Sequence, residues 1–135
     1  MDYARTVLGL PVPEVRAWSA HASSSHGVGT EFIIMDKVPG VELSSRWSNL
    51  TYDQWQPLVM ETVDLTARFC TRKFSQIGSI FYKEDVSKEL QKRPLYAEGE
   101  EMDEASEKFR IGPLVDWSVW RGDRAKLTKA DRGPC

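Results

Sequence analysis

At 135 residues the chain is long enough for one ordinary domain with a core of its own, and 41% hydrophobic against 28% charged residues is globular composition, far from that of a disordered chain. Eighteen Lys and Arg against twenty Asp and Glu leave a net charge of −2 with the basic residues scattered, so the sequence carries no nucleic-acid footprint. The longest apolar run is Phe32-Ile33-Ile34-Met35 and the start Met1-Asp2-Tyr3-Ala4-Arg5 is not a secretory signal; a soluble protein without membrane span or export signal is expected.

Ala4, Val7 and Leu8 recur at helical spacing, Gly9 follows in the position of a C-terminal cap, and Pro11 forbids continuation, which predicts a helix over residues 2–8. Val15-Arg16-Ala17-Trp18-Ser19 reads as a strand and residues 31–35 as a second, joined by a polar loop into an antiparallel hairpin. His21 and His26 share that loop; a metal site there lacks a third ligand nearby, so both are read as solvated.

Pro39-Gly40 punctuates the second strand, and Thr51 with Gln54 three residues on forms a capping box ahead of a long helix. Trp55, Leu58, Val59, Thr62, Leu65, Thr66 and Phe69 make one stripe along it, with Glu61, Asp64 and Arg68 on the solvent side. Pro57 interrupts the pattern, so the helix either kinks there, at a cost of about 3 kcal/mol, or begins near Gln56. Cys70, beside Phe69, reads as a small buried hydrophobe rather than a nucleophile. With Cys135 as the only other cysteine there is no disulfide framework, and a reducing, intracellular setting is expected, cytoplasmic or mitochondrial.

Gly78-Ser79-Ile80-Phe81-Tyr82 is a third strand, with its partner over residues 109–115. Between them, residues 83–108 carry nine carboxylates and five basic side chains and read as a charged, solvated insertion with some helical content. The pattern as a whole predicts the α+β class. Trp117, Trp120 and Arg121 read as a packing cluster, and Asp116 and Asp131 as structural carboxylates rather than metal ligands.

The stretch Glu31-Phe32-Ile33-Ile34-Met35-Asp36-Lys37-Val38-Pro39-Gly40, a strand running through a polar pair into a turn, is read on its own either as an ordinary strand end or as a hinge. It resembles the interlobe linker of the aminoglycoside phosphotransferase and choline kinase family, with Asp36 where Glu is usual. Tyr3-Ala4-Arg5-x-x-x-Gly9-x-Pro11-Val12-Pro13 is similar to that family's helix end and strand entry. The segments Ile111-Gly112-Pro113, Trp120-Arg121-Gly122 and Asp131-Arg132-Gly133-Pro134 resemble the fungal branch that includes the altered inheritance of mitochondria 9 proteins, with Cys135 where an aromatic residue is frequent.

The resemblance implies a partial protein-kinase-like fold over residues 1–135, with residues 83–108 as an insertion. It also implies an adenine site in which Met35 is the gatekeeper, the Asp36 carbonyl accepts from the adenine amino group, and the Val38 amide donates to the ring. ATP with magnesium would be the cofactor of the full-length family and a small-molecule hydroxyl its substrate. Phosphoryl transfer needs a phosphate-holding Lys, a catalytic Asp and magnesium carboxylates. No Gly-rich loop or Lys precedes the hinge and no His-Gly-Asp or Asp-Phe-Gly follows it. The chain is therefore expected to be a fragment with no catalytic or metal residues of its own; the alternative is a non-catalytic kinase-like remnant acting as a binding or regulatory module.

Overall fold

The computed structural model describes residues 1–22, 27–127 and 131–135, so His26 lies outside the described residues. Among the described residues it is α+β, with short helices, one long helix and two two-stranded antiparallel sheets, in two compact units, Met1–Phe69 and Cys70–Cys135.

The first unit opens with α1, Asp2–Thr6, two residues shorter than expected. The chain leaves it through Gly9 at φ +62°, a left-handed conformation that glycine adopts without steric cost, and the Leu10 amide returns to the Ala4 carbonyl at 2.9 Å. Strands β1, Val15–Ser19, and β2, Phe32–Met35, pair antiparallel in the register Ala17 with Ile34, Trp18 with Ile33 and Ser19 with Phe32. Val15 then pairs with Met35, so Arg16 is the extra residue of a β-bulge.

After two 3-10 turns, Leu43–Ser45 and Trp47–Asn49, comes α2, Tyr52–Phe69. The capping box works from the Gln54 side: its Oε1 accepts from the Thr51 amide at 3.0 Å. The helix starts ahead of Gln56 and runs through Pro57, which leaves the Asp53 carbonyl without its usual amide donor. Trp55, Leu58 and Leu65 of the expected stripe are half-buried, whereas Val59 and Phe69 are exposed. Arg68 is not simply turned to solvent: it binds Asp64 one turn back and donates from Nη1 to the Gly9 carbonyl at 2.9 Å, closing the helix against the turn after α1.

In the second unit, β3, Ser79–Tyr82, pairs antiparallel with β4, Phe109–Gly112, Ile80 opposite Ile111 and Tyr82 opposite Phe109. β4 stops short of residue 115 because Pro113 has no amide to extend the ladder. The Leu114 amide bonds instead to the Arg132 carbonyl at 2.8 Å, and Cys135 and Ile77 exchange both their backbone hydrogen bonds, at 2.7 and 3.1 Å.

Residues 83–108 are not a solvated excursion. They contain the expected helical pieces, α3, Lys88–Gln91, and α4, Glu104–Lys108, but they also bury Val86, Leu95, Tyr96, Ala105 and Ser106, most of the core of this unit. Leu95 and Tyr96 run beside residues 73–75, with Ser75 donating to the Leu95 carbonyl, Ala97 to the Lys73 carbonyl, and Phe74 bridged to Tyr96. The buried Arg110 guanidinium donates to the carbonyls of Gln91, Phe109 and Ser106, tying α3 and α4 to β4 through charge-assisted bonds. Cys70 is exposed, contrary to the buried hydrophobe expected from its apolar neighbours.

Gly78 sits where a Cβ would collide with the Gly112 carbonyl oxygen and lie 2.6 Å from Ile111 Cγ2. The opposing backbone is held in the β3–β4 ladder and cannot give way. Gly78→Ala is expected to cost about 1–3 kcal/mol, the range of overpacked positions. Urea unfolding should read it as a lower midpoint at unchanged slope, and an unaltered midpoint would contradict the close approach.

Candidate functional site

β2 delivers Met35, Asp36 and Val38 in sequence at its C-terminal end, Met35 as its last paired residue. Met35 is 43% and Val38 59% exposed, so neither side chain lies in a closed core. Gly40, at φ +112°, then turns the chain after Pro39. Among the described residues, neither the Asp36 carbonyl nor the Val38 amide makes an intrachain hydrogen bond.

Asp36 itself is tethered twice. Its amide donates to the Glu14 carbonyl at 2.9 Å, and its carboxylate takes a bidentate pair from Arg16, Nε to Oδ1 at 2.7 Å and Nη2 to Oδ2 at 2.8 Å. Glu14 extends the network with Oε1 3.4 Å from Arg16 Nη1 and Oε2 3.1 Å from Arg5 Nη2. The hydrogen bonds from Arg16 hold the Asp36 carboxyl below the usual aspartate range; loss of hydration opposes them, and the positive charges of Arg16 and Arg5 make smaller contributions in the lowering direction. A carboxyl lowered on folding contributes stability above the ordinary aspartate range and loses it as pH falls through the lowered value.

Arg16 and Glu14 were not singled out from the sequence. Their signal was an arginine inside a strand, with an acid just past the partner strand. Turning that into a contact requires the bulge and the register, which the polar connection from Ser19 to Phe32 does not determine.

The other candidates have local structural work. Asp116 caps α5, Trp117–Trp120, by accepting from the Ser118 amide at 2.8 Å, and Asp131 accepts from the Gly133 amide at 2.9 Å. Arg121 lies over the Trp117 ring at 4.6 Å and Arg132 over Trp120 at 4.0 Å, so the tryptophans pair with guanidinium groups while both remain exposed rather than packed in a core. His21 is exposed in the loop after β1. Among the described residues, no three His, Cys, Asp or Glu side chains lie together as a metal site, and no helix is long and apolar enough to cross a membrane.

Comparison with known proteins points to fungi. Over all 135 residues the chain is 38% identical to a subtelomeric hrmA-associated cluster protein of Aspergillus fumigatus, of which it covers 24%. It is 29% identical over 118 residues to altered inheritance of mitochondria protein 9, mitochondrial, of Meyerozyma guilliermondii, covering 86% of this chain and 19% of that protein. To the Saccharomyces cerevisiae protein of the same name it is 25% identical over 131 residues, covering 90% of this chain and 20% of the relative. These fungal proteins are its homologues. The chain spans about a fifth to a quarter of their length. No family profile and no solved structure matches it.

Proposed function

We propose that the chain is part of an ATP-dependent small-molecule phosphotransferase with a protein-kinase-like fold, and that it contributes the adenine-binding hinge of residues 35–38 but not the phosphoryl-transfer groups. The observation that carries this reading is the pair formed by the Asp36 carbonyl and the Val38 amide, without intrachain partners among the described residues at the end of a strand that is otherwise paired. Backbone recognition also accounts for Asp36 in place of Glu, since the side chain is not what meets the base. The phosphates, magnesium and the acceptor hydroxyl would be held by residues outside this chain, in a polypeptide of its relatives' length. The word mitochondrial in the names of several relatives makes that compartment the first to examine.

A site with the adenine contacts and without the phosphate contacts should not distinguish adenosine from ATP. In a nuclear magnetic resonance titration of the chain, both ligands are expected to move the amide signals of residues 36–38 with dissociation constants of about 1 mM, some 4 kcal/mol of binding, with or without magnesium. No ADP is expected to form, because positioning and charge stabilisation supply nearly all of phosphoryl-transfer catalysis. Silent hinge amides, or hydrolysis that copurifies with the chain, would overturn the reading.

A further inference from the structure

At 3.6 residues per turn, α2 sorts its side chains into three sides. Asp53, Glu61, Asp64 and Arg68 share the polar side. Trp55, Leu58 and Leu65 share a second, half-buried within their own unit, where Trp55 meets Trp47 edge-on at 4.2 Å between ring centroids. Tyr52, Val59, Met60 and Val63 share the third, and all four are exposed, Val59 the least at 46%. Thr66 borders this third side with its hydroxyl hydrogen held by the Thr62 carbonyl at 2.7 Å, so no unsatisfied donor there opposes burial. Apolar residues thus occupy more than half of the circumference, the pattern of a helix enclosed between layers rather than one lying on a surface.

The same unit is bare elsewhere. The β1–β2 hairpin exposes Ile33 and Met35 on one face and Ile34 on the other, and among the described residues the hydrophobic side chains buried in Met1–Phe69 are Tyr3 and Leu10. A second copy related by a twofold axis covers one patch by an isologous contact, not three. A polypeptide of the homologues' length can cover all of them, since three quarters or more of it lies outside the aligned segment.

We propose that the side of α2 formed by Tyr52, Val59, Met60 and Val63 is a docking face for an apolar layer of the polypeptide that surrounds this segment in its homologues, so that α2 is an interior helix of a larger domain. The inference does not rest on the hinge, and nucleotide binding is not its readout.

The test reads accessibility directly. In a background with Cys70→Ser and Cys135→Ser, both native thiols being exposed, Val63→Cys is expected to react with a maleimide in the isolated chain at the rate of an open thiol. When the chain replaces the aligned segment of the full-length Aspergillus fumigatus relative, that rate should fall at least about tenfold, as it does for sites reached only through local opening. Glu61→Cys, on the polar side, should label alike in both. Val59→Lys should leave the urea midpoint of the isolated chain unchanged and lower the melting temperature of the joined protein by about 5 °C or more, because only there is the charge buried. Should the joined protein be insoluble, the labelling is read on the chain co-expressed with the relative lacking the aligned segment. Val63→Cys that reacts as fast in the joined or co-expressed form as in the isolated chain overturns the inference. So does slow labelling of the isolated chain that speeds up on dilution in step with dissociation of a dimer, which would make a second copy the occupant.

Discussion

Leu95→Ala is expected to destabilise the Cys70–Cys135 unit by about 2–5 kcal/mol, the range for a fully buried leucine that leaves a cavity behind. Leu95 is 0% exposed, and its backbone carbonyl accepts from Ser75, so the site cannot easily collapse around the missing atoms. A unit of this size has a total stability of roughly 3–10 kcal/mol at ordinary values per residue, which makes the loss a large part of the whole. If residues 83–108 were a solvated excursion, the same substitution would change stability by no more than about 0.5 kcal/mol. Urea unfolding followed by tryptophan fluorescence separates the two outcomes. A midpoint matching the parent would remove the insertion from the core.

The reason that core was hidden lies in its spacing. Val86, Leu95, Tyr96 and Ala105 are separated by charged residues and follow neither a helical nor an alternating period. Each meets its partners only after α3, α4 and the strand-like run of residues 94–97 fold back on β4 and on residues 73–75. Charge density correctly marked a surface, but one side of it faces inward. Cys70 failed in the opposite sense: apolar neighbours on a helix pattern do not bury a residue that follows the last turn of that helix.

Where local rules dominate, the sequence was enough. The β-branched and aromatic residues of β1 and β2 and of β3 and β4, the Thr51 and Gln54 cap, and the positive φ at Gly9 each depend on a few adjacent residues, and each appears close to where expected, although α1 already ends at Thr6 and β4 at Gly112. The expected strand end at residues 35–38 was legible for the same reason. What surrounds it was not, because the Arg16 bulge is a matter of register between two strands joined by a long polar connection. The exposure of Ile33 on one face and Ile34 on the other is likewise invisible to periodicity, which marks both as core candidates.

Val38→Pro should weaken ATP binding by about 1–3 kcal/mol, up to roughly a hundredfold, when this chain replaces the aligned segment of the full-length Aspergillus fumigatus relative, with which it shares 38% identity over all 135 residues. Proline removes the one donor assigned to the adenine ring. It does so with little harm to the fold, since the Val38 amide has no intrachain partner among the described residues and Pro39 already holds this stretch extended. Val38→Ala keeps the amide and separates loss of the donor from loss of the side chain; it should bind ATP nearly as well as the parent. Asp36→Ala keeps the carbonyl assigned to the base and is expected to bind nearly as well as the parent. Calorimetric titration with a non-hydrolysable ATP analogue measures all three, with circular dichroism confirming that each variant is folded. A folded Val38→Pro protein that binds the analogue as tightly as its parent would show that no hydrogen bond from this amide reaches the base, and the hinge would have to be sought elsewhere in the longer polypeptide.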